Sequence, residues 1–387
     1  IVSSPVSPLG QSTSVRTKYA TAVALPSTLY VDTRRGDRPQ NQEQPAHKLY
    51  DYAYITDRFE GLILVDTHCL IDGDPENNFF ERALTWNPGG VLDGAEAITL
   101  AGNHAYVCCK RGLVVVDIDD PLHPKVVSEV GAPFLKGPRC VAVQFRYAFV
   151  CDERGVQVLD VTDAAKPRPV PGASVRLPGA CSIYVARTYA YVAAGGKGVA
   201  ILDVENPEKP LVDQMFDDGG KLNDARDVKV ASTNASLFAY VADGANGLKV
   251  LQLTSPERTP GNYGFSPQPS PRVIATHKTH GPALAISKGL DRDRAADESF
   301  NQIAVFGRLG ARPFKAVEAQ KLYLDGEGKV YSVSNDPPGP ATPHPSEVAA
   351  AAEAKAAAEA KAKPAEKAPE GKAEEPKPSE GRRIRRR

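Results

Sequence analysis

Polar residues that could bind a charged ligand stand at matching positions of a sequence unit that recurs along the chain. Glu96, Arg139 and Cys181 each precede an aromatic residue by ten positions. Arg226 precedes the next such aromatic by fourteen, which allows for a four-residue insertion, and Asp227 follows it. If these positions converge, their guanidinium and carboxylate groups either bind a small anionic ligand or form ion pairs with one another. We predict a polar site from these five residues and leave both interpretations open.

Metal-binding patterns are weak in this sequence. His277 and His280 are close in sequence, but on a strand or loop their spacing does not place both side chains on one face. Residues 72–78 alternate like the start of a calcium loop, yet the glycine and the final glutamate of that motif are missing. A second acidic stretch, residues 291–298, contains arginines that compete for its carboxylates. We predict no metal ligand, no cofactor and no catalytic residue, and we regard an enzyme as the less favoured interpretation.

The cysteines carry little information about redox chemistry. No two of them have the two-residue spacing of a zinc site, a redox motif or a covalent haem attachment. Four lie in apolar stretches typical of strands, which predicts that they are small buried hydrophobic residues. A disulfide or redox role is the alternative. The six are Cys69, Cys108, Cys109, Cys140, Cys151 and Cys181.

The recurring unit sets the fold. Each copy has a triplet centred on an aromatic residue, then a glycine, an apolar run and, in the first four copies, an aspartate five residues after the glycine. The fifth copy has Gln252 in place of that aspartate. The glycines lie 51, 43, 43 and 49 residues apart and are Gly61, Gly112, Gly155, Gly198 and Gly247.

Each copy predicts four short antiparallel strands. The triplet Ala105–Val107 and the run Leu113–Val116 are rich in strand formers, and the glycine between them permits a hairpin with positive φ. A turn marked by proline follows, with one strand after it and another before the triplet. Four strands per period of 40 to 50 residues is typical of a propeller blade, and a single blade cannot bury both of its faces alone.

We therefore predict an all-β fold, a β-propeller of four-stranded antiparallel blades over residues 1–335. We expect six or seven blades, in a complete or an incomplete ring. The blades beyond the five clear copies depend on short apolar runs, which are Thr28–Asp32, Ala283–Ser287, Gln302–Phe306 and Lys329–Val333.

The repeated units resemble the LVIVD-repeat family. The resemblance is carried by runs such as Tyr240–Gly244 followed by Gly247–Leu251, and it is clear over residues 50–255. It implies a β-propeller, commonly in exported bacterial or archaeal proteins and sometimes beside cytochrome modules. An extracytoplasmic location is thus implied by the resemblance, which supplies no catalytic motif. The chain departs from the pattern at Gln252 and in the long insertion after it.

Composition narrows the function classes. Lysine plus arginine equals aspartate plus glutamate, at 47 each, so no net field steers the chain toward nucleic acid or an anionic membrane. No stretch approaches the roughly 20 apolar residues of a membrane-spanning helix. Because the first residue is Ile1 and no leader precedes it, we expect that processing removed the true start or that the chain is part of something longer.

Residues 336–387 predict a low-complexity tail. Ala349–Lys363 has the composition of a partly helical spacer, and the mixture of proline, glutamate, lysine and alanine after it favours disorder. The basic end either contacts an anionic surface or stays solvated without a specific partner. Its arginines are Arg382, Arg383, Arg385, Arg386 and Arg387.

Two functions fit these observations. The first is a non-enzymatic interaction or scaffold module, an exported propeller that presents a rim or face to partner proteins. The second is a ligand-binding or hydrolytic propeller that uses the polar site at its central channel. Fold analogy alone places that site at the channel.

Overall fold

Each of the five repeated units forms one antiparallel sheet whose strands pair in chain order; four sheets have four strands, and in the third unit the outermost strand is split into two short pieces. We call these sheets blades 1 to 5. Blade 1 contains β1 (Ala20–Ala24), β2 (Tyr52–Asp57), β3 (Gly61–Asp66) and β4 (Arg82–Trp86). Blade 2 contains β5 (Ala97–Ala101), β6 (His104–Cys109), β7 (Gly112–Asp117) and β8 (Lys125–Val130). Blade 3 contains β9 (Cys140–Gln144), β10 (Tyr147–Cys151), β11 (Gly155–Asp160) and the short pieces β12 (Arg168–Pro169) and β13 (Val175–Arg176).

The last two blades follow the same order. Blade 4 contains β14 (Ser182–Ala186), β15 (Tyr189–Ala193), β16 (Val199–Asp203) and β17 (Leu211–Phe216). Blade 5 contains β18 (Asp227–Ser232), β19 (Leu237–Ala242), β20 (Leu248–Gln252) and β21 (Arg272–His277). The remaining elements are 3-10 helices at Lys48–Asp51, His68–Leu70 and Pro88–Gly90, and a small hairpin of β22 (Arg308–Leu309) and β23 (Arg312–Pro313).

This computed structural model describes residues 14–26, 47–70, 79–232, 236–262, 264–287, 308–309, 312–313 and 324–329. The chain divides into two units, residues 1–331 and 332–387, and every described residue belongs to the first. The predictions for the tail, for both acidic stretches and for strands at Thr28–Asp32, Gln302–Phe306 and residues 330–333 lie outside the described residues. Within the described ranges, no helix is long and apolar enough to cross a membrane.

The β-propeller prediction is confirmed, and the predicted count of six or seven blades is wrong. The first strands of successive blades lie side by side in the order β1, β5, β9, β14, β18, so they line the axis and the fourth strands lie outermost. Only the five clear copies of the repeat make a blade among the described residues. Ala283–Ser287 lacks that pattern, and its only strand-like pairing is a single backbone bridge from Ala283 to Gly244.

Apolar side chains fill the space between neighbouring blades. The aromatic residue at the centre of the second strand is nearly or fully buried in blades 1 to 4, where it is Tyr54, Tyr106, Phe149 and Tyr191. Hydrophobic clusters join blades 1 and 2, 2 and 3, 3 and 4, and 4 and 5. Burying one such side chain contributes about 2–3 kcal/mol, so the blade interfaces are the main stabilising element of the ring.

Two sets of aspartates stabilise the turns. The residue that ends the third strand accepts a backbone N–H two positions ahead at 2.8–2.9 Å, which is the turn geometry that aspartate favours; these residues are Asp66, Asp117, Asp160 and Asp203. In blade 5, Gln252 instead accepts from the guanidinium of Arg272 at 2.8 Å. A fully buried aspartate ends the second strand of blade 1 or directly follows the second strand of blades 3 and 5; these residues are Asp57, Asp152 and Asp243.

The buried aspartates link the hairpin to the start of the blade. Asp57, for example, accepts the backbone N–H groups of Tyr19, Phe59 and Glu60. Burial by itself would raise the pKa of Asp57, but these N–H groups and Arg82 outweigh burial and hold the pKa below its ordinary value. The carboxylate is therefore ionised and structural.

The insertion between β20 and β21 reaches from blade 5 to blade 4. The carbonyl oxygen of Phe265 accepts from Nη1 of Arg187 at 2.6 Å. The side-chain amide of Gln268 donates to Asp213 at 2.9 Å. The insertion thus ties a turn and the outermost strand of blade 4 to the blade that follows.

Candidate binding site at the connector face

The two ends of the propeller differ in the chain segments that form them. One end, which we call the connector face, carries the turns between second and third strands and the segments that link blades, residues 87–96, 131–139, 177–181 and 217–226. Backbone bonds join these parts, as from Gly94 N–H to the Arg58 oxygen and from Glu153 N–H to the Lys136 oxygen. The other end, the loop face, carries the remaining turns and the loops between third and fourth strands.

Four predicted site residues lie on the connector face in equivalent places. Each is the last residue before the first strand of its blade, and each donates its backbone N–H to the second strand at 2.8 Å. The accepting carbonyls belong to Cys108, Cys151, Ala193 and Ala242. We call the four residues the connector row; they are Glu96, Arg139, Cys181 and Arg226. Because their strands are neighbours around the axis, the row is continuous across blades 2 to 5.

The charges of the connector row pair with residues outside it. Both carboxylate oxygens of Glu96 accept from Nη2 of Arg58, at 2.7 and 2.8 Å, across the boundary between blades 1 and 2. Arg226 pairs with Asp224 in its own connector, with Nε 2.6 Å from Oδ1. Arg139 is exposed, and no hydrogen bond or ion pair of its guanidinium occurs among the described residues. Mutual pairing within the row, one of the two interpretations from the sequence, does not occur there.

Cys181 lies between the two arginines of the row. Burial raises the pKa of its thiol, the positive charges of Arg139 and Arg226 oppose that effect, and Asp224 adds to it, so the net pKa is above the ordinary value. The thiol is half-buried, and its Sγ lies 3.2 Å from the oxygen of Gly179. At neutral pH it is a neutral group beside two cations, which makes it a weak nucleophile.

Asp227 belongs to a second tier, one residue deeper along the first strands. Its Oδ1 accepts from Ser182 Oγ at 2.5 Å and from Lys229 Nζ at 2.7 Å, and its Oδ2 accepts from the backbone of Ile286 at 2.8 Å. Cys140 Sγ approaches Ser182 Oγ at 3.9 Å, which extends the line to blade 3. The carboxylate is buried with internal partners, so it joins blades 4 and 5 and the segment after them.

All six cysteines are free thiols. Cys108, Cys109 and Cys151 are buried, and burial raises the pKa of each. Among the described residues no group of histidine, cysteine, aspartate and glutamate side chains is arranged to hold a metal ion.

Sequence reasoning missed a set of polar pairs on the loop face. The first residue of the second strand stands opposite the aspartate that ends the third strand. The pairs are Tyr52 with Asp66, His104 with Asp117, Tyr147 with Asp160 and Tyr189 with Asp203. In blade 5 the equivalent pair is Phe238 with Gln252, so glutamine replaces the aspartate and phenylalanine replaces the tyrosine or histidine. The sequence signal that could have revealed these pairs is the tyrosine or histidine that stands two positions before the central aromatic in blades 1 to 4.

The histidine of this set makes the stability of the propeller depend on pH. Burial lowers the pKa of His104, and Asp117, Asp119 and Asp163 only partly oppose it, so His104 is neutral in the folded state. Below the ordinary value of 6.5 the unfolded chain takes up a proton that the folded histidine refuses. The free energy of unfolding is therefore expected to fall as pH drops from 6.5, by at most about 1.4 kcal/mol per pH unit from this group.

The matched variant is His104→Tyr, because tyrosine occupies the same position in three other blades. Urea unfolding at pH 7.5 and at pH 5 checks the prediction. The wild-type protein should lose more stability between these values than His104→Tyr. Equal losses in the two proteins would contradict the assignment to His104.

The repeat pattern identifies the family to which these blades are related. The LVIVD repeat matches residues 50–67, 94–131, 179–218 and 223–253, which fall in blades 1, 2, 4 and 5. The chain is an LVIVD-repeat β-propeller. Blade 3 lies outside the matched segments, and its outermost strand is split into β12 and β13 in a stretch with three alternating prolines, Pro167, Pro169 and Pro171. Since proline cannot donate to a strand ladder, that interruption has a direct cause.

Comparison with solved structures finds similar chains at low identity. A functionally unknown protein from Desulfotomaculum acetoxidans is 11% identical with a TM-score of 0.46, over 70% of this chain and 75% of that one. A protein from Bacteroides uniformis, described as a candidate 6-phosphogluconolactonase, is 11% identical with a TM-score of 0.45, over 59% and 69%. A protein from Lactobacillus plantarum is 13% identical with a TM-score of 0.44, over 61% and 70%. These likenesses are too distant to carry an argument about function. No curated protein matches the chain.

Proposed function

We propose that this LVIVD-repeat propeller is a non-enzymatic interaction module that binds partner proteins through its connector face. The observation that carries the proposal is an exposed aromatic patch, which we define as Tyr19, Arg58 and Phe59. The side chain of Phe59 is 63% exposed and that of Tyr19 is 51% exposed. Tyrosine and arginine are enriched among the residues that dominate binding energy at protein interfaces, and exposed aromatic side chains supply contact area.

The aromatic patch is held rigidly, which lowers the entropic cost of binding. The rings of Tyr19 and Phe59 meet edge to face at 6.2 Å, and the guanidinium of Arg58 lies 4.5 Å from the Tyr19 ring centre. Glu96 fixes the other side of Arg58 through the bidentate pair described above. Beneath the patch, Asp57 binds the backbone of both aromatic residues.

The cellular setting of the module is part of the same proposal. An extracytoplasmic location and a position beside cytochrome modules are supported by the resemblance to LVIVD-repeat proteins. We also propose that the arginines at the end of the tail, Arg382 to Arg387, contact an anionic surface, as their sequence favours. Fractionation of cells that express the uncut reading frame tests the location, and recovery in the cytoplasm alone would contradict it.

Removing the aromatic patch should abolish partner capture. We expect the double variant Tyr19→Ser and Phe59→Ser to capture about one tenth of the partner protein that wild type captures, or less. The reason is that loss of an interface anchor costs about 2 kcal/mol or more of binding free energy. The measurement is quantitative mass spectrometry of the proteins that the full chain captures from the exported proteins of the cell. Phe265→Ser is the matched control, because Phe265 is 67% exposed on the loop face.

The control also identifies the alternative. Partners that are kept by the double variant and lost by Phe265→Ser would move the interface to the loop face. If wild type captured nothing but copies of itself, the interaction module would lose its support.

A further inference from the structure

We propose that the connector row binds a carboxylate-bearing ligand between Arg139 and Arg226, above Cys181. The site goes beyond the proposed partner binding and uses different residues. Its ligand is a small carboxylic acid or the acidic side chain of a bound protein, two sources with the same recognition chemistry.

The geometry of the repeat places the two arginines on either side of Cys181. Arg139, Cys181 and Arg226 precede the first strands of three consecutive blades, and those strands are neighbours around the axis. Identical backbone bonds of 2.8 Å hold the three residues at the same height. Both arginines act electrostatically on the Cys181 thiol, which agrees with this placement.

The charge pattern leaves one cation unbalanced at this place. Lys136 in the same connector pairs with Glu153, and Nζ lies 3.1 Å from Oε2. Glu96 on one side is neutralised by Arg58, and Arg226 on the other is paired with Asp224. Arg139 therefore adds one positive charge between two neutral pairs, beside a neutral thiol.

A carboxylate fits this arrangement better than other ligands. The planar guanidinium of Arg139 has its donors unused among the described residues and can form two parallel bonds to one carboxylate. Arg226 carries further donors besides the Nε that faces Asp224.

Calorimetric titration with succinate, at constant ionic strength set with sodium chloride, tests the site in the full chain. We expect Arg139→Gln to weaken succinate binding about tenfold or more, because each charge-assisted pair lost is worth about that factor. Arg226→Gln should weaken it by a smaller factor, since part of that charge is already paired. Arg176→Gln is the control, because Arg176 is exposed on the outermost strand of blade 3 and should leave binding unchanged.

A chemical footprint locates the ligand independently of affinity. Succinate should slow the alkylation of Cys181 by iodoacetamide, with Cys69 as the internal reference thiol, and this protection should vanish in Arg139→Gln. Equal succinate affinity in wild type and Arg139→Gln, or equal effects of succinate and uncharged succinamide, would overturn the proposal. Thermal unfolding confirms that the variant is folded.

A second arm assigns the source of the carboxylate. If saturating succinate displaces captured partner protein, the carboxylate belongs to an acidic side chain of the partner. If capture is undisturbed, the ligand of the site is a free carboxylic acid. The double variant of the aromatic patch should bind succinate normally, so loss of partner binding and loss of the carboxylate site give distinct results.

Discussion

Gly198→Ala is expected to destabilise the propeller by about 3–4 kcal/mol, whereas Gly172→Ala should cost only about 1–2 kcal/mol. The two glycines have nearly the same backbone conformation, with φ of +76° and +77°. They differ in the space around them. A methyl group on Gly198 would collide with the backbone oxygen of Phe216 and with Asp217, and one on Gly172 meets nothing within 4 Å.

Comparing Gly198→Ala with Gly172→Ala separates the energetic cost of steric contact from the cost of backbone strain. Both substitutions carry the cost of a side chain at positive φ, and only Gly198→Ala forces the third and fourth strands apart. Urea unfolding followed by circular dichroism measures the difference. Equal losses would mean that the outermost strand yields without cost, in which case strain alone explains the repeated glycine.

The same crowding occurs in every blade. The equivalent glycines have φ between +76° and +145°, and an added Cβ would in each case be too close to a backbone oxygen at the end of the outermost strand. The repeat therefore keeps glycine where the third strand begins under the last residue of the fourth. This position could be predicted from the sequence as a hairpin glycine, but the crossing strand that excludes a side chain could not.

Asp152→Ala is expected to cost about 3–4 kcal/mol, because several buried donors lose their acceptor at once. The carboxylate accepts from the backbone of Lys136, Arg154 and Gly155 at 2.8–3.2 Å, and from the side chain of Gln157 at 3.2 Å. It is fully buried. Asp217→Ala is the control, with a cost of about 1 kcal/mol, since that carboxylate is exposed and accepts from the backbone of Gly219.

The pH dependence of this site has a defined sign. Burial raises the pKa of Asp152, but Arg154 and the backbone N–H groups outweigh it, so the pKa is lowered from 3.8. The contribution of the Asp152 carboxylate to the free energy of unfolding is fully present at pH values above the ordinary aspartate pKa. This contribution is lost as the pH falls through the lowered pKa of the folded state. The difference in unfolding free energy between wild type and Asp152→Ala should therefore be constant from pH 5 to 8 and shrink in stronger acid. A difference that already falls at pH 6 would contradict this assignment.

Local sequence determined much of what could be predicted. The hairpin glycines, the aspartates that end the third strands and the central aromatics are set by short-range turn and strand preferences, so their places in the blade followed from the repeat. Long-range partners did not. Glu96 pairs with Arg58, 38 positions earlier, and Asp227 with Ser182, 45 positions earlier, both across blade boundaries. Blade number failed for the same reason, because apolar runs alone do not show whether a complete sheet forms.

The equivalence of the connector row could be predicted because a repeat copies backbone geometry. Its chemistry could not, since the side chains at those four places differ and their partners come from other connectors and turns. The exposed aromatic patch had no sequence signal either. Tyr19 and Phe59 are 40 positions apart, and their contact depends on the pairing of β1 with β2, which Asp57 supports by binding both backbones.

The insertion that leads from β20 to β21 has a consequence for the way the ring comes apart. Repeat proteins resist unfolding through coupling between neighbours, and unequal coupling divides them into segments that open separately. Blades 4 and 5 share their apolar interface, the Ser182–Asp227 bond and the clasp of Phe265 and Gln268. We therefore expect blades 4 and 5 to unfold as one cooperative segment, with similarly slow amide exchange in both.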